Sequence, residues 1–222
     1  MIVTRWVRQS AGRLSVVVAP LVLLSGLALT PQVVDPCAPA TTVAATTTTV
    51  ALTSASGGSC AVGSTGPGGG IVSYVDLTNP PGSQYLEAAP VGAEVERSWA
   101  TGGNQAVAAT GADGTAIGTG EQNTADIVAQ SGNAAATSAA VYCSELVSGG
   151  QSDWFLPSKD DLNLMRTNLQ SASTPLGGFS AGIYWSSSET DDYDAWYQDF
   201  YDGNQGGISK GNPFYVRPVR AF

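Results

Sequence analysis

The pattern of apolar and polar positions divides the chain into stretches of different character. An apolar run of sixteen residues, Leu14 to Leu29, follows Arg5, Arg8 and Arg13, with small residues at Gly26, Ala28, Ala38 and Ala40. This is the layout of an export signal. The run is shorter than the roughly 20 residues of a membrane span and contains Pro20. Residues 1–30 therefore read as a signal peptide, with a retained N-terminal anchor as the alternative. Cys37 follows Val34-Asp35-Pro36, which does not resemble a lipoprotein attachment box. Thr41 to Ser59 holds Thr, Ala, Val, Ser and Gly, with a single Leu52 and without a charge. Such a stretch cannot build a core, so 31–59 reads as a disordered linker and 60–222 as the folded domain.

Within that domain the rhythm changes from strand to helix and back. Ile71-Val72-Ser73-Tyr74-Val75 and Tyr85-Leu86-Glu87-Ala88-Ala89 read as strands, the second ended by Pro90. Ala100 to Thr124 has little pattern and reads as loops. Helices are expected at Thr124–Gln130 and Ala134–Val147, and a third from Ser158. There Ser158 precedes Asp161 by three residues, a capping arrangement, and Leu162, Met165 and Leu169 form a buried stripe. Strands are again expected at Tyr184–Ser187, Ala195–Tyr201 and Tyr215–Val219. Helices in the middle and strands at both ends predict an α+β domain with a mixed or antiparallel sheet and two to three helices. No internal repeat of fixed period is present. Trp154 and Trp185 sit among apolar residues and are expected in the core. Trp196 and Tyr197 face opposite ways by period two, with Trp196 the expected core member.

Charge and cysteine content narrow the function classes. The chain has 18 acids and 9 bases. Without Arg5, Arg8, Arg13 and Asp35 the remaining 17 acids against 6 bases give a net charge of −11. A protein this acidic repels nucleic acid and anionic membrane surfaces, so no nucleic-acid partner is expected, and a membrane only through the N-terminal anchor. Cys60 and Cys143 lie in the folded part. They either pair in an oxidising compartment, or Cys143 is a small buried hydrophobe on a face with Ala139, Ala140, Leu146 and Val147.

Little here points to catalysis. Histidine is absent, which removes Ser-His-Asp and Cys-His systems and histidine-ligated metals. The acids Asp191, Asp192, Asp194, Asp199 and Asp202 offer oxygen ligands for Ca²⁺ but match no EF-hand spacing. Gly63 to Gly70 lacks the Gly-Lys-Ser/Thr ending of a phosphate loop and precedes a strand, so it reads as a structural turn. No catalytic residue, cofactor or metal is expected.

Asp153-Trp154-Phe155-Leu156-Pro157-Ser158-Lys159-Asp160-Asp161-Leu162 resembles the DWxLPSKDEL block of the Lcl C-terminal domain family. Tyr184-Trp185-Ser186-Ser187-Ser188-Glu189, Ala195-Trp196 and Val216-Arg217-Pro218-Val219-Arg220 resemble its further blocks in order. So do Thr65 to Val72 and Tyr85 to Pro90, and the resemblance spans about 60–222. It implies a C-type-lectin-like fold, export and, in some members, adhesion to polysaccharide. The acidity of this chain argues against sulfated glycans.

Thr190 to Tyr215 also looks like the variable region of proteins diversified by retroelements, in which Asn codons are randomised at their adenines. Only Trp196, Gln198, Gln205 and Lys210 fall outside the residues such codons yield, against roughly five expected from average composition, so placement rather than the count supports the likeness. A rigid sheet with freely varying exposed side chains suits a ligand face. The expected contact positions are Asp192, Tyr193, Asp194, Tyr197, Asp199, Tyr201, Asp202, Asn204, Ile208, Asn212, Phe214 and Tyr215. Ordinary turn and strand-surface roles are the alternative. The whole reads as a secreted or cell-surface module that recognises a protein or carbohydrate. A structural envelope protein without a ligand is the second reading. The third is a formylglycine-generating-like enzyme, which is expected to need a C-terminal cysteine pair, and no cysteine follows Cys143.

Overall fold

The computed structural model describes Cys37, residues 60–171 and residues 173–222. The expected signal segment and, apart from Cys37, the expected linker lie outside the described residues. In chain order the regular elements are β1 (Ile71–Val75), β2 (Tyr85–Ala88), β3 (Val95–Arg97), α1 (Gly120–Ala129), α2 (Ala139–Glu145), α3 (Lys159–Met165), β4 (Ile183–Glu189), β5 (Asp194–Asp199), β6 (Gln205–Ser209), β7 (Phe214–Val216) and β8 (Val219–Ala221). The architecture is mixed α+β with two sheets. One is antiparallel in the order β1-β2-β8, and the other is mixed in the order β3-β7-β4-β5-β6.

Pro218 explains why the single strand expected at Tyr215–Val219 is two. A proline cannot donate to a ladder. Here it ends β7 in the five-stranded sheet, and its carbonyl accepts from Ala89 N–H at 2.8 Å as the chain crosses to β8 in the other. The Val-Arg-Pro-Val stretch is thus the bridge between the sheets.

The α3 start matches expectation. Ser158 caps it, with both halves of the capping box formed to Asp161. Leu162, Met165 and Leu169 are buried, and a π-helical turn over Arg166–Gln170 extends the helix. The second helix is shorter than its apolar pattern, because Ser138 is extended and bridges to Ser98. α1 begins before its pattern does, at Gly120, where a Cβ would come within 2.7 Å of Ser158 N and 2.8 Å of Leu156 O. Only glycine lets this helix lie so close to the 153–158 block. β3 and β6 had no signal of their own, one being three residues long and the other three-fifths glycine and serine.

The core forms around two main clusters. One gathers Trp99, Ile127, Cys143, Leu156, Trp185 and Val216, the other Leu86, Phe155, Leu162, Met165, Tyr184 and Phe200. The expected Cys60–Cys143 disulfide is not formed. Cys60 pairs with Cys37, and Cys143 is a free, fully buried thiol. The two expected partners belong to different clusters: Cys60 is grouped with Val72 and Tyr85, whereas Cys143 is grouped with Ile127 and Trp185. Burial pushes the Cys143 thiol well above its ordinary value.

Candidate functional site

Within the Thr190–Tyr215 segment, β5 and β6 continue the five-stranded sheet between Glu189, the last residue of β4, and Lys210, the residue after β6. These two side chains close the base of the β5–β6 hairpin. Glu189 is ion-paired with Lys210 Nζ, and its two oxygens accept from Ala109 N–H at 2.9 and 3.2 Å. Lys210 Nζ also donates to the carbonyls of Asp192 (2.8 Å) and Val107 (3.2 Å) and lies 4.9 Å from the centre of the Trp99 ring. All three ammonium donors are used, the condition under which a fully buried lysine is tolerated. Lys210 N–H donates to Tyr193 O at 3.0 Å, and Trp99 N–H to Lys210 O at 2.9 Å. The rim of the segment is therefore fixed to the first core cluster through backbone and side chain together.

The acids of the segment serve mainly as turn builders. Asp191 Oδ1 accepts from Tyr193 N–H (2.8 Å) and Asp194 N–H (2.9 Å), bonds that hold its carboxyl below the usual range. Asp199 Oδ1 accepts from Tyr201 N–H at 2.7 Å, and Asp202 accepts from Asn204 N–H (2.8 Å) and Nδ2 (2.6 Å). Among the described residues no group of three or more Asp, Glu, His or Cys is placed to hold a metal ion.

The twelve expected contact positions do not form one continuous face. Tyr193 and Tyr201 project into solvent, 63% and 80% exposed. Asp192, Asp202 and Asn204 are exposed beside them, while Asp194 and Asp199 are half-buried. Tyr197, Ile208 and Phe214 pack against the first core cluster, with the Phe214 ring 4.9 Å from Trp185. Tyr215 packs against the second, 5.3 Å from Tyr184. Asn212 is half-buried: its Nδ2 donates to Ser209 O at 2.9 Å and its carbonyl accepts from Trp185 Nε1 at 3.0 Å. The two exposed tyrosines lie beyond opposite ends of β5, a six-residue strand about 20 Å long. Trp196 also departs from expectation. It is half-buried under the Lys159 ammonium, 5.0 Å from the ring centre, and the core side of β5 is Ala195 and Tyr197.

The flanking blocks are joined by buried charge. Glu87 is fully buried and accepts from Gly68 N–H (3.0 Å) and Gly70 N–H (2.7 Å). The anion held by the Gly63–Gly70 turn is thus the chain's own carboxylate. Arg220 lies 3.4 Å from Glu87 and grips Asp153 through two bonds of 2.7 and 2.9 Å. Arg217 pairs with Glu94 at 3.4 Å, and Glu94 accepts from Tyr184 OH and Ser180 Oγ, both at 2.7 Å. Burial and the Glu94 carboxylate push the Tyr184 phenol up. The buried serines of β4 tie it to its neighbours: Ser186 Oγ donates to Trp196 O (2.8 Å) and Ser188 Oγ to Gly114 O (2.7 Å).

The role of Glu189 and Lys210 escaped sequence reasoning, although Lys210 is the only base between Thr190 and Tyr215. A groove of about 320 Å³ lies among Glu121, Val128, Ser144, Asp153 and Trp154, with no lining residue from that segment. Among the described residues no helix is long and apolar enough to cross a membrane.

No curated protein matches the chain. The family model described as the Lcl C-terminal domain matches residues 98–220, more than half of the chain. It takes in the buried serines, the Glu189–Lys210 pair and both arginines, while Glu87 and its glycine turn lie before it. The chain belongs to the Lcl C-terminal domain family.

Proposed function

We propose that this protein is an exported or surface-tethered recognition module with a C-type-lectin-like fold. It binds a protein or carbohydrate through the segment from Thr190 to Tyr215, and sequence variety in that segment serves binding. The observation that carries this reading is the buried Glu189–Lys210 pair beneath a hairpin that exposes Tyr193 and Tyr201. Exposed tyrosines supply contact area at low entropic cost, and a fixed base presents them without reorganisation. Tyr193, Tyr201, Asp192, Asp202 and Asn204 make the contacts. The half-buried positions, Tyr197, Ile208, Phe214 and Tyr215, shape the surface from below.

The test is an array of bacterial-surface glycans and proteins probed with the wild-type chain and with Tyr193→Ala and Tyr201→Ala. Binding lost in at least one variant, with folding retained, is the expected result. A ligand indifferent to both substitutions overturns the assigned face. An array without a ligand favours the structural envelope reading.

A further inference from the structure

The open edge of the five-stranded sheet extends that reading and rests on it. β6 pairs with β5 on one side and is the last strand of its sheet on the other. Its register runs from Asp194↔Ser209 to Gln198↔Gln205 without a bulge. Just beyond the two ends, Lys210 N–H donates to Tyr193 O and Asp199 N–H to Asn204 O. Antiparallel ladders alternate between hydrogen-bonded and non-hydrogen-bonded pairs. Gly206 and Ile208 therefore turn their backbone groups to β5, and Gln205, Gly207 and Ser209 turn theirs to the open side. The Ser209 carbonyl is taken by Asn212, whose N–H and Nδ2 lie 3.1 and 2.9 Å away. What remains, among the described residues, is a row of three N–H and two C=O groups without a partner on a strand about 17 Å long.

Soluble proteins guard such edges with proline, lysine or a bulge. The Gln-Gly-Gly-Ile-Ser strand has none of these. Gly207, which is exposed, adds no side chain of its own against a second backbone, and its nearest neighbour on the Cβ side is the Thr190 side chain. The surrounding charge is mainly negative, since five aspartates outnumber two nearby bases, Lys159 over Trp196 and Arg166 beside Gly203. Asp191, Asp192, Asp194, Asp199 and Asp202 precede the strand, while Lys210 is buried and neutralised by Glu189. A second copy of this edge would bring like charges together, whereas a basic chain would be attracted.

We propose that β6 is a docking edge that takes an extended, basic segment of a partner polypeptide as a sixth strand. Main-chain bonds to Gln205, Gly207 and Ser209 supply the affinity, and Lys or Arg side chains of the partner meet the surrounding aspartates.

The test titrates the full chain with a synthetic nine-residue peptide of alternating Lys and Val, followed by amide chemical shifts and hydrogen exchange. Saturable binding that protects the amides of Gln205, Gly207 and Ser209 is expected. Gly207→Pro removes the central outward N–H while sparing the bonds to β5, and weakens binding at least tenfold. Ser209→Pro does the same from the strand end and serves if Gly207→Pro folds poorly. Four results each overturn the proposal: no saturable binding, affinity unchanged by either proline, equal binding of an alternating Glu/Val peptide, or dimerisation that a proline abolishes. If an array ligand is lost in Tyr193→Ala or Tyr201→Ala but kept in Gly207→Pro, and the peptide does not bind, the edge proposal fails and the recognition reading stands.

Discussion

Glu189 and Lys210, 21 residues apart, form a buried ion pair that closes the base of the exposed hairpin, with the lysine side chain fully enclosed and the glutamate side chain 8% exposed. The pair separates two regimes. Outside it, each block is tied down by buried charge or by packed aromatics. Inside it, Tyr193 and Tyr201 touch mainly solvent. Variation at those exposed positions leaves the frame intact, whereas variation at the pair, or at the buried Ala195, Gln198 and Phe200 between its members, strikes the core.

Lys210→Met should therefore be far more damaging than a change at the exposed positions Asp192, Tyr193, Tyr201, Asp202 or Asn204. It leaves the Glu189 carboxylate buried beside two backbone carbonyls without its counter-charge, a loss of about 3–5 kcal/mol. For a domain of this size the thermal midpoint falls by about 10 °C. Replacing Glu189 and Lys210 together by Met should recover much of that loss, since no unpaired charge remains. Urea unfolding of the two single variants and the double variant checks this. Additive losses in the double variant would show that the pair is not a unit.

Neighbouring glycines of the 63–70 turn should differ sharply in their tolerance. Gly70→Ala drives a Cβ into the Ala88 carbonyl, and Gly68→Ala places one 2.6 Å from the Trp154 ring. Both should fail to fold or lose more than about 3 kcal/mol, the upper range for overpacking. Gly69, at φ +77°, has no described residue within 4 Å of an added Cβ. Gly69→Ala costs only the left-handed backbone, about 1 kcal/mol. Thermal midpoints of the three variants decide it, and a Gly69 variant as weak as the others contradicts the assigned roles.

The cysteine assignment predicts thiol accessibility and stability together. The native protein should yield no rapidly reacting thiol, and unfolding without reductant should release one, from Cys143. Opening the Cys37–Cys60 bridge, which spans 23 residues, should cost about 3 kcal/mol through the loop entropy regained by the unfolded chain. Thiol titration before and after denaturation, with urea curves plus and minus reductant, measures both. A thiol that reacts rapidly in the native state contradicts the burial of Cys143.

Much of the frame was legible because its signals are local. The Ser158 cap with Asp161, the β1 pattern and the strand end before Pro90 each follow from a few adjacent residues, whereas the break at Pro218 inside the expected Tyr215–Val219 strand did not. The disulfide, β3 and β6 were not, because partner choice depends on contacts far along the chain. Cys143 belongs to the core cluster of Ile127 and Trp185 and Cys60 to another. The contact face was half legible. Composition marked Thr190–Tyr215 as unusual, yet Tyr is equally suited to solvent and to core. Only the fold separates Tyr193 and Tyr201 from Tyr197 and Tyr215. The aspartates were ambiguous for a similar reason, since a turn-building carboxylate and a ligand-binding one look alike in sequence.

Asp161 provides a test of how the buried capping box responds to pH. Its carboxyl is fully buried, and desolvation raises it above the ordinary value, against the opposing effect of bonds from Gly118 N–H (2.9 Å) and Ser158 N–H (3.0 Å). A folded-state value above that of the unfolded chain means the native protein binds the proton more tightly. The stability from this group is then fully present below the unfolded value of about 3.9 and is lost as pH rises through the raised folded value. Asp161→Asn keeps one acceptor oxygen and removes the titration. The stability of wild type minus that of Asp161→Asn should therefore decline as pH rises from 3 to 7. Urea unfolding of both proteins across that range gives the difference directly, with the other carboxylates largely cancelling. A difference that grows with pH would mean that the two N–H donors outweigh burial and hold Asp161 ionised.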